Sequence, residues 1–163
     1  MNSLRIEHLY VSAGHNFFGH HGRPPSEHET VEVAELKCVA GRGIEGDRFF
    51  DYKPDYKGQI TFFSGEVFDE LCSQLGVSGK SPAELRRNVI TRGVNLAEFY
   101  DREFEVQGVR FLGMGECKPC YWMDGAIGPG AEQALQGRGG LRAKILCNGR
   151  LAADVAVGAQ AGR

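Results

Sequence analysis

Hydrophobic and polar residues alternate over several short stretches of the chain, which predicts a domain built mainly from β-strands. Residues 4–11 and 31–39 have the two-residue period of a strand, and residues 58–63 form a short apolar strand. Glycine is abundant, at 23 of 163 residues, which fits many tight turns between short strands. We therefore expect a mainly β fold of the β-rich α+β class.

Helical signals are few, and the helices that they predict are short. Ser64 is a suitable N-cap, and residues 67–75 carry one apolar face before Gly76 ends the helix. Residues 81–84 (SPAE) combine a capping box with proline at the first helical position, which predicts a second helix. Residues 129–135 predict a third.

Two hairpins are expected in the second half of the chain. Residues 101–108 and 109–112 predict the first hairpin. Asn148-Gly149 is the strongest hairpin signal in the sequence, and it predicts a last hairpin between residues 141–147 and 150–157. Since we find neither a repeat nor a linker, we expect one domain that spans residues 1–163.

The composition is that of an ordinary globular protein, with 42% hydrophobic and 25% charged residues. A net charge of −2 gives no overall field that would attract nucleic acid or an anionic membrane, so neither is an expected partner. Five cysteines without a secretion signal indicate free thiols in a reducing cytoplasm. Anion binding must then depend on local clusters of arginine and lysine.

Two of the cysteines lie three positions apart in residues 113–123 (GMGECKPCYWM), directly after a strand-like run. Thiolates are soft ligands for thiophilic metals and are also the reactive form in redox chemistry. Pro119 disfavours a helix at this point, so we expect a shaped loop. The central hypothesis is that Cys120 lies at the bottom of an anion-binding pocket and contacts a metal or a sulfur-bearing cofactor.

Arginines recur next to glycine or asparagine at several predicted junctions. Arg86-Arg87-Asn88 lies where a predicted helix meets a strand, a position that suits two-point recognition of phosphate or carboxylate. Arg138 and Arg142 flank a pair of glycines. Arg48 follows Asp47 in a glycine-rich turn, where the aspartate is expected to orient the arginine. The alternative for Arg86 and Arg87 is that one is solvated and the other pairs with Glu84. The alternative for Asp47 and Arg48 is an ordinary surface ion pair.

Three histidines lie in the loop of residues 14–25, at positions 15, 20 and 21. This loop could contact a ligand, close over a pocket, bind a metal or be solvated. One Cys-x-x-Cys pair with these histidines could hold structural zinc. We disfavour zinc because such sites usually have two closely spaced ligand pairs.

Four segments in this order resemble a MOSC domain, the module named after the C-terminal part of molybdenum-cofactor sulfurase. They are GIEGDRF at residues 43–49, RNVITRGVNL at 87–96, GECKPC at 115–120 and GRGGLRAK at 137–144. The resemblance covers nearly the whole chain, which suggests a stand-alone MOSC domain. It implies a β-barrel with a few short peripheral helices.

The resemblance also implies a function, namely binding of the molybdenum cofactor (molybdopterin). In the family the characteristic cysteine is thought to bind sulfur or coordinate molybdenum, and its place after proline points to Cys120 as metal ligand and catalytic residue. The expected cofactor-binding residues are Arg48, Arg86, Arg87, Asn88, Cys117, Arg138 and Arg142. The implied reaction is reduction of an N-hydroxylated small molecule, with electrons from a separate redox protein.

A second hypothesis gives the same loop a different task. Cys120 would carry a persulfide and pass its sulfur to a partner protein, with Cys117 as the resolving thiol. The chain would then be a sulfur carrier or a cofactor-delivery protein without turnover of its own. The two hypotheses differ in what Cys120 binds, a metal or a sulfane sulfur.

Overall fold

The computed structural model of the protein describes residues 4–13 and 30–154. The strands of these residues are β1 (Arg5–Val11), β2 (Val31–Glu32), β3 (Glu35–Val39), β4 (Gly43–Ile44), β5 (Ile60–Ser64), β6 (Val89–Arg92), β7 (Glu103–Val106), β8 (Val109–Glu116), β9 (Leu141–Ile145) and β10 (Gly149–Ala152). The helices are α1 (Gly65–Leu75), α2 (Trp122–Ala126) and α3 (Ala131–Ala134), and there are 3₁₀ helices at Pro82–Leu85 and Leu96–Phe99.

The strands form two sheets. The larger has seven strands in the order β2-β1-β6-β5-β9-β8-β7, and the smaller has three in the order β10-β3-β4. Strands β5 and β6 are parallel, and the other described pairs are antiparallel. The prediction of a mainly β, β-rich α+β fold with short peripheral helices is therefore confirmed.

The larger sheet separates two hydrophobic clusters, and the alternation along β5 shows how. Phe62 belongs to the cluster that includes Leu36 and Leu151 of the smaller sheet. Phe63, the next residue, belongs to the cluster formed with the helices, beside Leu71 of α1. Because successive side chains of a strand point to opposite faces, β5 has an apolar residue for each layer.

Local capping signals placed two of the helical segments correctly. Ser64 Oγ accepts a hydrogen bond from the Val67 amide at 3.2 Å, and Gly76 ends α1 in the left-handed region with φ of 66°. The capping box between Ser81 and Glu84 is present as predicted. The segment that it begins is one 3₁₀ turn rather than an α-helix.

The predicted last hairpin is wrong. Strand β9 pairs with β5 and β8, whereas β10 pairs with β3 in the other sheet. Asn148 does not close a tight turn between paired strands, because its Oδ1 accepts a hydrogen bond from the Ala40 amide at 2.8 Å. The Asn-Gly pair therefore carries the chain from one sheet to the other.

The expected single strand over residues 31–39 is in fact two strands in different sheets. Between them, the Val33 amide donates to Leu9 of the larger sheet at 2.9 Å. The next residue, Ala34, accepts from the Ala153 amide at 3.2 Å. The chain thus crosses between the sheets at this pair of residues, although its hydrophobic pattern continues without a break.

Strand β8 also differs from its prediction, because it continues through Glu116 instead of ending near residue 112. Gly113 pairs with Ala143 and Gly115 with Arg142, with a register shift between the two glycines. A Cβ at Gly113 would collide with the Phe99 carbonyl, so a glycine is needed for this close approach. As a result, the cysteine loop begins at Cys117, directly at the end of β8, which is paired with a strand on each side.

Within the described ranges, no helix has the length and apolar character needed to cross a membrane. The histidine-rich loop of residues 14–25 lies outside the described residues, so its role stays a prediction.

Candidate functional site

The cysteine loop, residues 117–121, joins β8 to α2 and is anchored to the segment 137–140. The Cys117 amide donates to the Gly140 carbonyl at 2.8 Å. One residue earlier, Glu116 Oε2 accepts from the Gly139 amide at 3.0 Å. The loop is therefore held by backbone contacts to the chain that leads into β9, and its two thiols have a defined place.

Arg87 connects this loop to the rest of the site through its guanidinium. The side chain is buried and makes four hydrogen bonds to three carbonyls: two to Gly139 at 2.9 and 3.1 Å, one to Cys117 at 3.1 Å and one to Leu85 at 3.1 Å. Planar guanidinium groups suit this kind of several-point binding. In this arrangement Arg87 positions the loop, and its predicted contact with a cofactor phosphate stays a prediction.

Asn88, the next residue, is likewise engaged within the protein. Its Oδ1 accepts from the amide and hydroxyl of Thr61 at 3.0 and 3.1 Å. Its Nδ2 donates to the Tyr10 carbonyl at 3.2 Å and lies 3.4 Å from Asp47 Oδ1. Asn88 thus links β1 and β5 at the start of β6, and its expected role in cofactor binding stays a prediction.

A buried carboxylate balances two of the predicted arginines. Asp47 Oδ1 lies 3.3 Å from Arg48 Nη1 and also accepts from the Ser12 amide at 3.1 Å. Arg48 donates in turn to the Arg86 carbonyl at 3.0 Å, and Arg86 donates to Ser12 Oγ at 2.8 Å and Thr30 Oγ1 at 3.1 Å. The expectation that Asp47 orients Arg48 agrees with these contacts.

Burial changes the acid–base properties of this cluster. Desolvation lowers the pKa of Arg86 to about 10, with a further decrease from the neighbouring charge of Arg48 and an opposing effect of Asp47. Desolvation also lowers the pKa of Arg48, and Asp47 again opposes the shift. Both guanidinium groups remain charged at neutral pH, so the cluster is positively charged and largely excluded from water.

Arg142 is a predicted site residue with a buried donor that lacks a described partner. It projects from β9, half-buried, and its Nε is buried without a hydrogen-bond partner among the described residues. Tyr56 lies close to it. Burial raises the pKa of Tyr56, while the charges of Arg142 and Arg48 oppose that rise. A buried N–H donor without a partner is costly, which marks this position as one suited to an external acceptor.

Tyr56 was not predicted as a site residue, because a single tyrosine between charged residues carries no local signal. Its ring stacks on Phe49 with centroids 5.2 Å apart at 25°, and it makes an edge contact with Tyr52 at 4.9 Å. A Cβ at Gly58 would lie only 3.1 Å from the Tyr56 ring, so the tyrosine lies directly over that glycine. The ring is therefore held by packing, and its hydroxyl is close enough to Arg142 for that charge to act on it.

The two cysteines of the loop lie in different surroundings. Cys117 is close enough to Arg48, Tyr56 and Tyr100 for its charge to act on each of them. Burial raises the pKa of Cys120, while the Trp122 amide and the charge of Arg87 oppose that rise. Both cysteines are partly buried and reduced. The structure thus brings Cys117, Arg48, Arg142 and Tyr56 into one neighbourhood, which we call the cation–thiol site.

Arg138 lies apart from this site, although it belongs to the segment 137–140 that anchors the cysteine loop. Its Nη1 is 3.5 Å from Glu70 Oε1, and its Nε donates to the Ala134 carbonyl at 3.2 Å. It lines a cavity of about 440 Å³ together with Tyr100 and Gly140. Of the predicted cofactor-binding residues, Arg48, Cys117 and Arg142 therefore form the cation–thiol site, and Arg138 lines a separate cavity. Hydrogen bonds link Arg86, Arg87 and Asn88 to Arg48, to Cys117 and to Asp47, respectively.

Chemically, the site combines soft sulfur ligands with buried positive charge. It suits an anionic group that also offers a thiophilic centre. In residues 4–13 and 30–154 there is no cluster of three or more histidine, cysteine, aspartate or glutamate side chains that could hold a metal ion. A metal at this site would therefore bring other ligands with it.

Replacing Gly139 with alanine should disturb the cysteine loop and lower the free energy of unfolding by about 1–3 kcal/mol, the usual cost of overpacking. A Cβ at this position would collide with the Cys117 carbonyl and lie 2.7 Å from Pro119 Cδ. Urea unfolding measures the effect. Gly125→Ala is the matched control, since a Cβ there meets no atom within 4 Å. Equal stability of the two variants would contradict the close packing of the loop.

Comparison with known proteins places the chain in a family. The sequence model of the MOSC domain matches residues 16–160. No functionally curated protein sequence matches the chain. Among solved structures, the YuaD protein of Bacillus subtilis has a TM-score of 0.69 and 20% identity, over 93% of this chain and 94% of that one.

Two YiiM proteins also share the fold. YiiM of Escherichia coli has a TM-score of 0.59 at 18% identity and covers 90% of this chain, which spans 66% of that protein. YiiM of Geobacillus stearothermophilus has a TM-score of 0.64 at 14% identity, over 91% and 71% of the two chains. With the family match over most of its length, the chain belongs to the MOSC domain family, which is associated with the molybdenum cofactor.

Proposed function

We propose that this chain binds the molybdenum cofactor at the cation–thiol site and supports reduction of N-hydroxylated compounds. The observation that carries the proposal is the buried Nε of Arg142, which has no partner among the described residues and lies beside Tyr56. Tyr56 also lies close to the buried cation Arg48 and to Cys117, so it connects Arg142 to both groups. An anionic, thiophilic ligand would satisfy all of these groups together.

The residues fit such a cofactor in chemical type. The cofactor has a terminal phosphate, for which Arg142 and Arg48 supply charge-assisted donors in a site of low dielectric. Its metal takes a thiolate ligand, for which we propose Cys120, which lies close enough to Cys117 of the site and to Arg87 for their charges to act on it. Cys117 would be the second sulfur, near Arg48. Arg87 would act by holding the carbonyls of Cys117 and Gly139, so that the thiols keep their positions.

The proposed reaction removes oxygen from nitrogen. Conversion of R–NHOH to R–NH₂ and water consumes two electrons and two protons, and the bound cofactor would supply the electron-transfer chemistry. The electrons would come from a separate redox protein. The hydroxyl of Tyr56 is protonated at neutral pH, since burial raises its pKa, and it is the proposed proton donor for the departing oxygen.

Molybdenum content tests the binding proposal. Full-length protein purified from a host that makes the cofactor should contain stoichiometric molybdenum by elemental analysis, and Cys120→Ala should lose most of it. Cys72→Ala is the control, because Cys72 packs with the helix-side cluster away from the site. Molybdenum retained in Cys120→Ala and lost in Cys117→Ala would transfer the ligand role to Cys117. Absence of molybdenum from every sample would contradict the proposal.

A second candidate function is that of a sulfur carrier, and the proximity of the two thiols favours it. The charge of Cys117 acts on Cys120 and raises its pKa further. Attack of the Cys117 thiolate on a Cys120 persulfide would form a Cys117–Cys120 disulfide and release hydrosulfide, which balances atoms and electrons. Cyanide-labile sulfur on the wild type and its absence from Cys120→Ala, without molybdenum in either, would support this candidate over the first.

A further inference from the structure

We propose that the cavity beside Tyr100 is a second ligand site, which takes a small organic acid with an apolar body and one anionic group. Its volume of about 440 Å³ lies within the usual range for small-molecule sites, about 300–1,000 Å³. Neither Arg48, Arg142 nor Tyr56 lines it, so it is distinct from the cation–thiol site. The inference therefore does not depend on the function proposed above.

The walls of the cavity are mostly apolar. Val67 comes from the first turn of α1, Val94 follows β6, and Leu96 and Ala97 begin the second 3₁₀ helix. Leu96 is only 6% exposed and belongs to the core between the sheets, so this wall is firmly placed. A hydrocarbon or aromatic group that enters the cavity would remove apolar surface from water on several sides.

The polar groups of the lining favour an anion. The one carboxylate in the described lining is that of Glu66, and it already accepts from the Gly93 amide at 2.8 Å and from Ser64 Oγ at 3.1 Å. Arg138 carries the one positive charge of this lining, and its partner Glu70 is 66% exposed. Such a solvated pair is weak, so a bound carboxylate can compete for the guanidinium.

Two further donors have no hydrogen-bond partner among the described residues. The Tyr100 hydroxyl makes no hydrogen bond to a described residue, although its backbone amide caps the 3₁₀ turn. Asn95 uses its Oδ1 to accept from the Ala97 amide at 3.1 Å, which leaves its Nδ2 available as a donor. With Arg138, the cavity thus offers three side-chain donors to one ligand, and its single carboxylate is already engaged.

The cavity also adjoins the cysteine loop. Gly140 lines it, and the carbonyl of this glycine accepts from the Cys117 amide at 2.8 Å. Burial raises the pKa of Tyr100, and the charges of Glu116 and Cys117 raise it further, which places the tyrosine between the cavity and the loop. A ligand in the cavity would therefore contact the segment that anchors the thiols.

Calorimetric titration of the full chain, purified without cofactor, tests this site. The probes are 2-naphthoate, its neutral analogue 2-naphthamide and the cationic 2-naphthylmethylamine. We expect saturable binding of naphthoate, about tenfold tighter than that of naphthamide, because a charge-assisted contact to Arg138 is added. No heat of binding for naphthoate, or tighter binding of the amine, would overturn the proposal.

Variants distinguish the cavity from nonspecific binding. Arg138→Gln should reduce naphthoate affinity about tenfold, to that of the amide, and leave the amide unchanged. Arg150→Gln is the matched control, since Arg150 pairs with Glu35 on the smaller sheet, 2.7 Å away. If Arg138→Gln does not fold, the Tyr100→Phe variant is tested instead. We expect it to bind naphthoate several-fold more weakly than the wild type does. Naphthoate affinity at the wild-type value in Arg138→Gln, or in Tyr100→Phe where that variant decides, would overturn the assignment.

Discussion

Replacing Asp47 with asparagine should lower the free energy of unfolding by about 3–5 kcal/mol, the usual cost of removing one partner from a buried charge pair. The carboxylate is only 5% exposed and lies against Arg48, whose charge also acts on Arg86. Asparagine is nearly the same size, so little packing is lost. The expected loss therefore comes from two buried guanidinium groups that keep their charge without a counter-charge.

Urea unfolding of the wild type and variant measures this loss, since a change in the midpoint at constant slope reports stability. Asp51→Asn is the matched control. Asp51 pairs with Arg42 at the surface, where both side chains are about half exposed (48% and 55%), and exposed pairs contribute little. An Asp47→Asn variant as stable as Asp51→Asn would mean that water, rather than Asp47, balances the buried arginines.

Local signals predicted the parts of this fold that local chemistry decides. The cap at Ser64, the left-handed Gly76 and the capping box at residues 81–84 each depend on residues within one turn of the chain. For that reason the sequence alone was sufficient for α1. Strand β5 was also predicted from local sequence, and its successive residues pack into the apolar layers on opposite faces of the sheet.

Long-range pairing decided the parts that were predicted wrongly. Asn148-Gly149 has the composition of a tight turn, yet residues 141–145 find partners in β5 and β8 instead of in the following strand. The chain likewise passes from one sheet to the other at Val33 and Ala34, because Val33 bonds to the larger sheet and Ala34 to the segment after β10. Hydrophobic periodicity says which face of a strand is buried, but it does not say which strand lies beside it.

The candidate site shows the same division. The resemblance to the MOSC family singled out Arg48 and Arg142, and the structure places Arg48 near Cys117 and Arg142 near Tyr56. Tyr56 and Tyr100 escaped notice, because what makes them site residues is distance to groups far away in sequence. Arg87 could be recognised as a site arginine from its neighbours, but its binding of three carbonyls depends on a loop 30 residues further along.

Replacing Arg87 with methionine should lower the free energy of unfolding by about 3–5 kcal/mol, because carbonyls left without donors each cost about 1–3 kcal/mol. The side chain is 6% exposed and binds the carbonyls of Leu85, Cys117 and Gly139. Methionine has a similar length, so cavity formation adds little. Faster hydrogen exchange at the Cys117 amide should accompany the loss of stability, since that amide lies in the loop that Arg87 holds.

Arg87→Lys separates the geometry of the guanidinium from its charge. An ammonium group cannot reach three carbonyls at once, so the lysine variant should show most of the loss although its charge is unchanged. Arg110→Met is the matched control, because Arg110 is exposed on β8. A lysine variant as stable as the wild type would contradict this role. It would mean that Arg87 contributes its positive charge and not the geometry of its guanidinium group. If instead both Arg87 variants lose stability and loop protection together, the loop that holds the thiols is maintained by three carbonyl contacts to one side chain.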